Sequence, residues 1–147
     1  MGTLRDVISE LTRAEIDELL RGQVVGRIGC HAEGVTYVVP VIYAYDGDGL
    51  YVASIEGQKA RMMRENPNVC FEVDEYDGAG SWRSAIVQGV YEELGDSEAE
   101  KAIALLAARF GRAGEEGGAR RRHGADGVPS ICFRIGIRDV TGRSARR

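Results

Sequence analysis

The stretch Thr36-Tyr37-Val38-Val39-Pro40-Val41-Ile42-Tyr43-Ala44-Tyr45, followed by Asp46-Gly47-Asp48-Gly49 and then Leu50-Tyr51-Val52-Ala53-Ser54-Ile55, decides the fold class. Its first ten residues are almost wholly apolar and rich in β-branched and aromatic types, which predicts a strand buried on both faces. Pro40 lies inside it and has no N–H to give to a ladder, so one side of the strand is unpaired or bulged at that point. The Asp/Gly run is a turn signal. Residues 50–55 then return as a second apolar strand, so the whole stretch reads as a hairpin.

Working outward, Val24 to Cys30 supplies a strand before the hairpin. After it, Val69, Phe71 and Val73 alternate with Cys70, Glu72 and Asp74, which gives a strand with one polar face. A further strand covers about 82–93, behind the loop Gly78-Ala79-Gly80. Ile131, Phe133, Ile135 and Ile137 alternate with Cys132, Arg134, Gly136 and Arg138, the cleanest strand pattern in the chain. Helices fall between these runs. Thr12 with Glu15 forms a capping box before Ile16, Leu19 and Leu20, predicting a helix over 12–21 that Gly22 ends. A short helix covers 59–65 and stops at Asn66-Pro67. Ser97 with Glu100 is a second capping box, before Ile103, Leu106 and Phe110, and predicts a helix over 97–110 that Gly111 ends. Residues 111–129 are rich in glycine and arginine and read as a mobile loop, and the basic tail beyond Thr141 as frayed. The fold class is mainly β with α. Six strands joined by hairpins and short segments predict an antiparallel sheet that curls into a barrel, with flanking helices.

The chain has 147 residues, 44% hydrophobic and 29% charged, which suits one globular domain over 1–147. Its net charge is −4, the wrong sign for general binding to a phosphate backbone, so no nucleic-acid partner is expected. No apolar run reaches the roughly 20 residues that a membrane span needs. The first residues carry no basic segment and apolar core of a secretory signal, so a cytoplasmic location is expected. Cys30, Cys70 and Cys132 are odd in number, far apart and set in apolar runs, which predicts small buried hydrophobes rather than a disulfide or a zinc site.

The dinucleotide fingerprint, the phosphate-binding P-loop and H-E-x-x-H are all absent, and neither His31 nor His123 stands beside a nucleophile motif. Two stretches carry chemistry. Ser54-Ile55-Glu56-Gly57-Gln58-Lys59-Ala60-Arg61 joins a strand end to a helix start. Free N–H groups and the Lys59 ammonium there suit a phosphate, although a solvated helix start carries the same charges. Ser81-Trp82-Arg83-Ser84 opens the fifth strand. Arg83 offers a planar fork of donors, the serines offer hydroxyls and Trp82 offers a flat face; a core tryptophan at the start of a strand is the plainer reading.

Taken in order, Tyr37-Val38-Val39-Pro40-Val41, the Asp/Gly turn, Leu50-Tyr51-Val52-Ala53-Ser54, Gly57-Gln58-Lys59, Asn66-Pro67-Asn68-Val69-Cys70-Phe71, Trp82-Arg83-Ser84 and Gly89 resemble the pyridoxamine 5′-phosphate oxidase-like flavoproteins, the FMN-binding split β-barrels. The chain is most similar to their small nitroimidazole-resistance-type members, over roughly residues 10–140. The resemblance implies a six-stranded split barrel that forms a homodimer with FMN at the subunit interface. It implies that Lys59, with Gln58 beside it, meets the FMN phosphate and that Arg83 and Ser84 join from the neighbouring strand. Val39, Pro40, Val41 and Ile42, with Val52, Ala53, Ser54 and Ile55, would flank the isoalloxazine; Trp82 and the partner chain would complete the pocket. The implied activity is an oxidoreductase passing electrons from a reduced nicotinamide to a small molecule. The alternatives are a flavin- or haem-binding module without turnover, or a nitroimidazole reductase-like protein. FAD, a deazaflavin or haem are the alternative cofactors, with His31 or His123 as an axial haem ligand. Many members carry a histidine five residues before the glycine of the Gly-Gln-Lys motif, where this chain has Val52, so nitroimidazole reduction is not carried over as its main activity. Arg112, Arg120, Arg121 and Arg122 mark the loop at 111–129 as a solvated segment or as a lid toward an anionic electron donor.

Overall fold

Eight strands and three helices follow one another in the computed structural model, which describes residues 8–123 and 130–146 and, between 111 and 130, the backbone alone. Their order is β1 (Ile8–Glu10), α1 (Arg13–Gly22), β2 (Val25–Ala32), β3 (Val35–Ile42), β4 (Ala44–Tyr45), β5 (Gly49–Ile55), α2 (Gln58–Glu65), β6 (Asn68–Tyr76), β7 (Trp82–Glu93), α3 (Asp96–His123) and β8 (Ser130–Ala145). The six expected strands are all present as β2, β3, β5, β6, β7 and β8; the short β1 and β4 are additional. All pairings are antiparallel, in the order β3-β2-β6-β7-β8-β5-β4, with β1 also on β8. β3 and β5 stand near opposite ends of that order and still touch, so the sheet curls into an open barrel with a seam between them.

The expected hairpin divides in two. β3 pairs along its whole length with β2, from Val25 opposite Ile42 to Ala32 opposite Val35. The connection is Glu33-Gly34, both at positive φ (50° and 78°), the geometry of a two-residue turn that matches strand twist. Only Ala44 and Tyr45 return across the Asp46–Gly49 turn to pair with β5. β3 is therefore an edge strand, half-buried or exposed along its length, and the expected burial on both faces is not met within one chain. Its position at the edge accommodates Pro40.

The main core lies inside the curl. Ile28, Phe71, Val73, Val87, Phe133 and Ile135 come from alternate positions of the strands, and Ile16, Leu19 and Leu20 of α1 close one end. Thr12 caps α1 as expected, its hydroxyl accepting from the Glu15 N–H while the Glu15 carboxylate accepts from the Thr12 N–H. A second cluster, Ala44, Ala53 and Cys132 with Ala102 and Leu106, sits on the outer side of β4, β5 and β8, under α3. Cys30 and Cys132 are buried and Cys70 is half-buried.

Three boundaries differ from the sequence reading. Ser97 lies inside α3, which begins at Asp96 with the Ala99 N–H already bonded to the Gly95 carbonyl, so Ser97 does not cap. α3 continues past Gly111 to His123; Ala113, Glu115, Glu116, Ala119 and the arginines are good helix formers, and a glycine costs only about 1 kcal/mol. The expected loop is thus helical over 111–123, and 124–129 lie outside the described residues. The basic tail is not frayed: β8 runs to Ala145 because β7 pairs with it on one side and β1 on the other.

Candidate functional site

The seam between β3 and β5 forms a cleft of about 430 Å³ lined by Val25, Pro40, Val41, Ile42, Val52, Ala53, Ser54, Ile55 and Lys59. Consecutive residues of each strand reach it because it lies along strand edges rather than over one face of the sheet. β3 is the last strand on its side, and β4 covers only Leu50 and Tyr51 of the opposing edge of β5. Main-chain donors and acceptors are therefore presented between apolar side chains.

The cationic end is built by the junction of β5 and α2. Lys59 Nζ donates to Ser54 Oγ at 2.5 Å, and that hydroxyl donates to the Ile55 carbonyl at 3.3 Å. Ser54 is 8% exposed and holds the ammonium at the cleft floor. Its charge reaches Cys30, where it opposes the burial that pushes that thiol up. Gly57 caps α2 without a side-chain hydrogen bond, and a Cβ there would meet nothing within 4 Å. The first N–H groups of α2 thus start beside open space, as an anion requires. Behind them, Glu56 and Glu93 hold Arg64 at 2.6 and 2.5 Å. The Arg64 hydrogen bond pulls the Glu56 carboxyl below its usual range.

Eight of the sequence-predicted site residues meet here: Pro40, Val41, Ile42, Val52, Ala53, Ser54, Ile55 and Lys59. Val39 does not line the cleft; it packs on the main core, as Val41 two residues further along the strand also does. Gln58 is exposed and directs its amide at Met62 Sδ, 3.8 Å away on its own helix. Val25 was not singled out by the sequence; its place opposite Ile42 in the ladder brings it to the cleft, and no local motif signals that.

Trp82, Arg83 and Ser84 do not join Lys59 within one chain. Ile131 of β8 pairs with Ser54 and Ser144 of β8 with Arg83, at opposite ends of that strand. At about 3.3 Å per residue the separation is roughly 40 Å of strand. Within one chain, therefore, Arg83 and Ser84 do not reach the Lys59 corner from a neighbouring strand, because the length of β8 separates the two segments. Trp82 and Arg83 instead line a second hollow of about 390 Å³ with Ser81, Ser144 and Arg146, and Arg83 lies 3.0 Å from Glu75 and 3.4 Å from Glu18.

A larger groove, about 620 Å³, runs beside β8, and two of its three arginines are engaged, Arg13 with Asp17 at 3.2 Å and Arg138 with Asn68 at 2.9 Å. His31 is exposed and hydrogen-bonded to Thr36 at 2.8 Å, away from the cleft lining, and the side chain of His123 lies outside the described residues. Among the described residues no group of histidine, cysteine and carboxylate side chains could hold a metal, and no helix is long and apolar enough to cross a membrane.

Comparison with known proteins gives the family and the fold. Residues 12–144 match the family described as pyridoxamine 5′-phosphate oxidase. An uncharacterized protein of Rhizobium meliloti (strain 1021), RA0666, is 34% identical over 84 residues, 57% of this chain and 56% of that protein, so the match spans just over half of that curated relative. The crystal structure of a FAD-binding protein of Mesorhizobium loti superposes with a TM-score of 0.77 at 34% identity, covering 96% of this chain and 98% of that one. A Bacteroides thetaiotaomicron VPI-5482 protein assigned to 5-nitroimidazole antibiotic resistance has the same fold, with a TM-score of 0.72 at 20% identity over 94% of this chain and 87% of that one.

Proposed function

Since the chain belongs to the pyridoxamine 5′-phosphate oxidase family, we propose that it binds a flavin in the β3–β5 cleft and works as a homodimeric oxidoreductase. The observation that carries this reading is the pairing of one buried-edge ammonium, Lys59 on Ser54, with an apolar slot between two strand edges. A flavin needs cationic donors for its phosphate and a flat apolar slot with main-chain donors for its ring system, and the cleft supplies both. The ligand is FMN. FAD is the second reading, because the relative from Mesorhizobium loti is described as FAD-binding; both share the half that the cleft fits.

In this reading Lys59 and the first N–H groups of α2 bind the phosphate. Pro40 to Ile42 on one side and Val52 to Ile55 on the other orient the ring and exclude water from it. Val52, 1% exposed, offers no proton to the ring. When bound, the flavin would supply the redox chemistry, with a reduced nicotinamide as the electron donor and a small molecule as the acceptor, so few catalytic side chains would be required. Trp82, Arg83 and Ser84 reach the same ligand only from a second chain, which makes the dimer part of the site.

Purified protein should be yellow and release flavin on denaturation, and chromatography of the released flavin tells FMN from FAD. Lys59→Ala and Arg83→Ala should each weaken uptake. Mixing the two variants should restore about one tight site per heterodimer, because one interface regains both wild-type residues. Colourless protein that takes up neither flavin refutes the site. Variants that never complement refute its division between two chains.

A further inference from the structure

Arg83 and Glu75 stand directly opposite each other across β7 and β6, so the ladder itself sets them side by side on one face. One carboxylate oxygen of Glu75 accepts from two nitrogens of the guanidinium, Nη2 at 3.0 Å and Nε at 3.3 Å. Its other oxygen accepts from the Gln23 side-chain amide at 3.1 Å. Gln23 closes the C-terminal end of α1, its N–H donating to the Leu19 carbonyl and its own carbonyl accepting from Arg109 of α3 at 3.2 Å. The acceptor is therefore tied to two helices independently of the arginine that it holds. The neighbouring acids are placed differently. Glu18 meets Nη1 at 3.4 Å from a side chain that is 72% exposed, a long contact that water screens. Glu15 and Asp77 line the same hollow, but their carboxylates accept from main-chain N–H groups, Glu15 from Thr12 at 2.8 Å and Asp77 from Ala79 at 2.8 Å and Ser81 at 3.1 Å. Among the described residues, Glu75 alone takes two donors of this guanidinium.

We propose that Glu75 is a positioning residue for the flavin phosphate, holding the Arg83 guanidinium of one chain in the orientation in which it meets the phosphate bound at Lys59 of the other. The proposal rests on the reading that the phosphate lies between those two cations, and it adds what prepares one of them. A free arginine side chain samples many rotamers and must be ordered when it binds. Glu75 orders it beforehand. Glu75 and Glu18 use three of the five N–H groups, which leaves one on Nη1 and one on Nη2 for an incoming anion.

A carboxylate beside a phosphate site also repels the ligand, so two effects of opposite sign meet at residue 75. Ordering outweighs repulsion, because the charge of Glu75 is matched by the guanidinium 3.0 Å away and the phosphate meets the pair rather than a lone acid. A carboxamide at this position separates the two effects. It keeps an acceptor oxygen for Nε and Nη2 and loses only the charge.

Titration of the flavin-free protein with FMN and with riboflavin, which has the same ring and ribityl chain and no phosphate, tests this by the quenching of flavin fluorescence. Glu75→Ala should weaken FMN binding about three- to tenfold, the usual cost of ordering one long side chain on binding, and leave riboflavin binding unchanged. Glu75→Gln should keep most of the wild-type affinity for FMN. In an Arg83→Ala background, Glu75→Ala should add nothing to the loss already present, because the group that it positions is gone. Circular dichroism and sedimentation check that each variant keeps the wild-type fold and assembly. FMN affinity in Glu75→Ala equal to or tighter than wild type, with Arg83→Ala weakened, overturns the positioning role and leaves the flavin site standing. A loss that riboflavin shares, or that persists in full without Arg83, overturns it as well, since Glu75 then serves the fold of the hairpin rather than the phosphate. Arg83→Ala binding FMN like the wild type takes the phosphate away from Arg83, and the proposal falls together with that part of the reading.

Discussion

Lys59 and Ser54 face each other across the junction of β5 and α2, the ammonium donating to the hydroxyl at 2.5 Å. The serine is buried at the end of a strand, so it fixes where a flexible four-carbon side chain places its charge. Removing the charge with Lys59→Ala should weaken flavin binding by about 1.5–3 kcal/mol, the usual worth of a hydrogen bond to a charged group. Ser54→Ala should cost less, since the ammonium remains. Quenching of flavin fluorescence on titration measures both, and equal affinities in wild type and Lys59→Ala would remove the phosphate from this corner.

Tyr43 is 1% exposed and its hydroxyl donates to the Leu20 carbonyl at 2.6 Å, tying the strand connection to the end of α1. Burial pushes the phenol well above its ordinary range, so it stays a neutral donor at any working pH. Tyr43→Phe should cost about 1 kcal/mol and lower Tm by a few degrees in a chain of this size. An unchanged melting curve would show the bond to contribute nothing.

Gly26 lies under the ring of Phe71, where an added Cβ would fall 2.1 Å from Cζ. Gly26→Ala should therefore destabilise by about 1–3 kcal/mol through overpacking. Phe71→Leu in the same chain should recover part of that loss beyond additivity, because the two changes share one contact. Denaturant unfolding of the four chains of this cycle supplies the coupling.

Asp46 organises the β4–β5 turn, accepting from the N–H groups of Asp48 at 2.9 Å and Gly49 at 2.8 Å and from the Tyr51 hydroxyl at 2.9 Å. Desolvation opposes its charge, but the hydrogen bonds outweigh it and hold the carboxyl below its usual value. A depressed folded-state value means that this stabilisation is complete above the usual carboxylate range and disappears as pH falls through the folded value, below about 4. Asp46→Asn should lower stability at pH 7 by about 1–2 kcal/mol and flatten the acid limb of a stability–pH curve. An acid limb of wild-type steepness would place the titrating group elsewhere.

Local chemistry was legible in the sequence and long-range partnership was not. Period-two alternation located β6 and β8, and the Thr12–Glu15 capping box located α1, because each is decided within a few residues. The partner of β3 is decided instead by the Glu33-Gly34 turn, whose positive φ at a glutamate no residue rule announces. The apolar character of β3 suggested burial on both faces, while within one chain Tyr37, Val39 and Val41 pack on the core and Val38 and Ile42 stand outward. The cleft was legible as two strands, at Pro40 to Ile42 and Val52 to Ile55, with Lys59. Its separation from Trp82, Arg83 and Ser84 depends on the length of β8, and the last turns of that strand are held by β1, a three-residue partner with no pattern of its own.

Pro40 gives β3 a property beyond its place in the cleft. A long, apolar, terminal strand is a template on which further chains can polymerise edge to edge. An imino acid midway along it breaks the row of donors that such growth would use, and so guards the molecule against fibrils while leaving its neighbours free to meet a ligand.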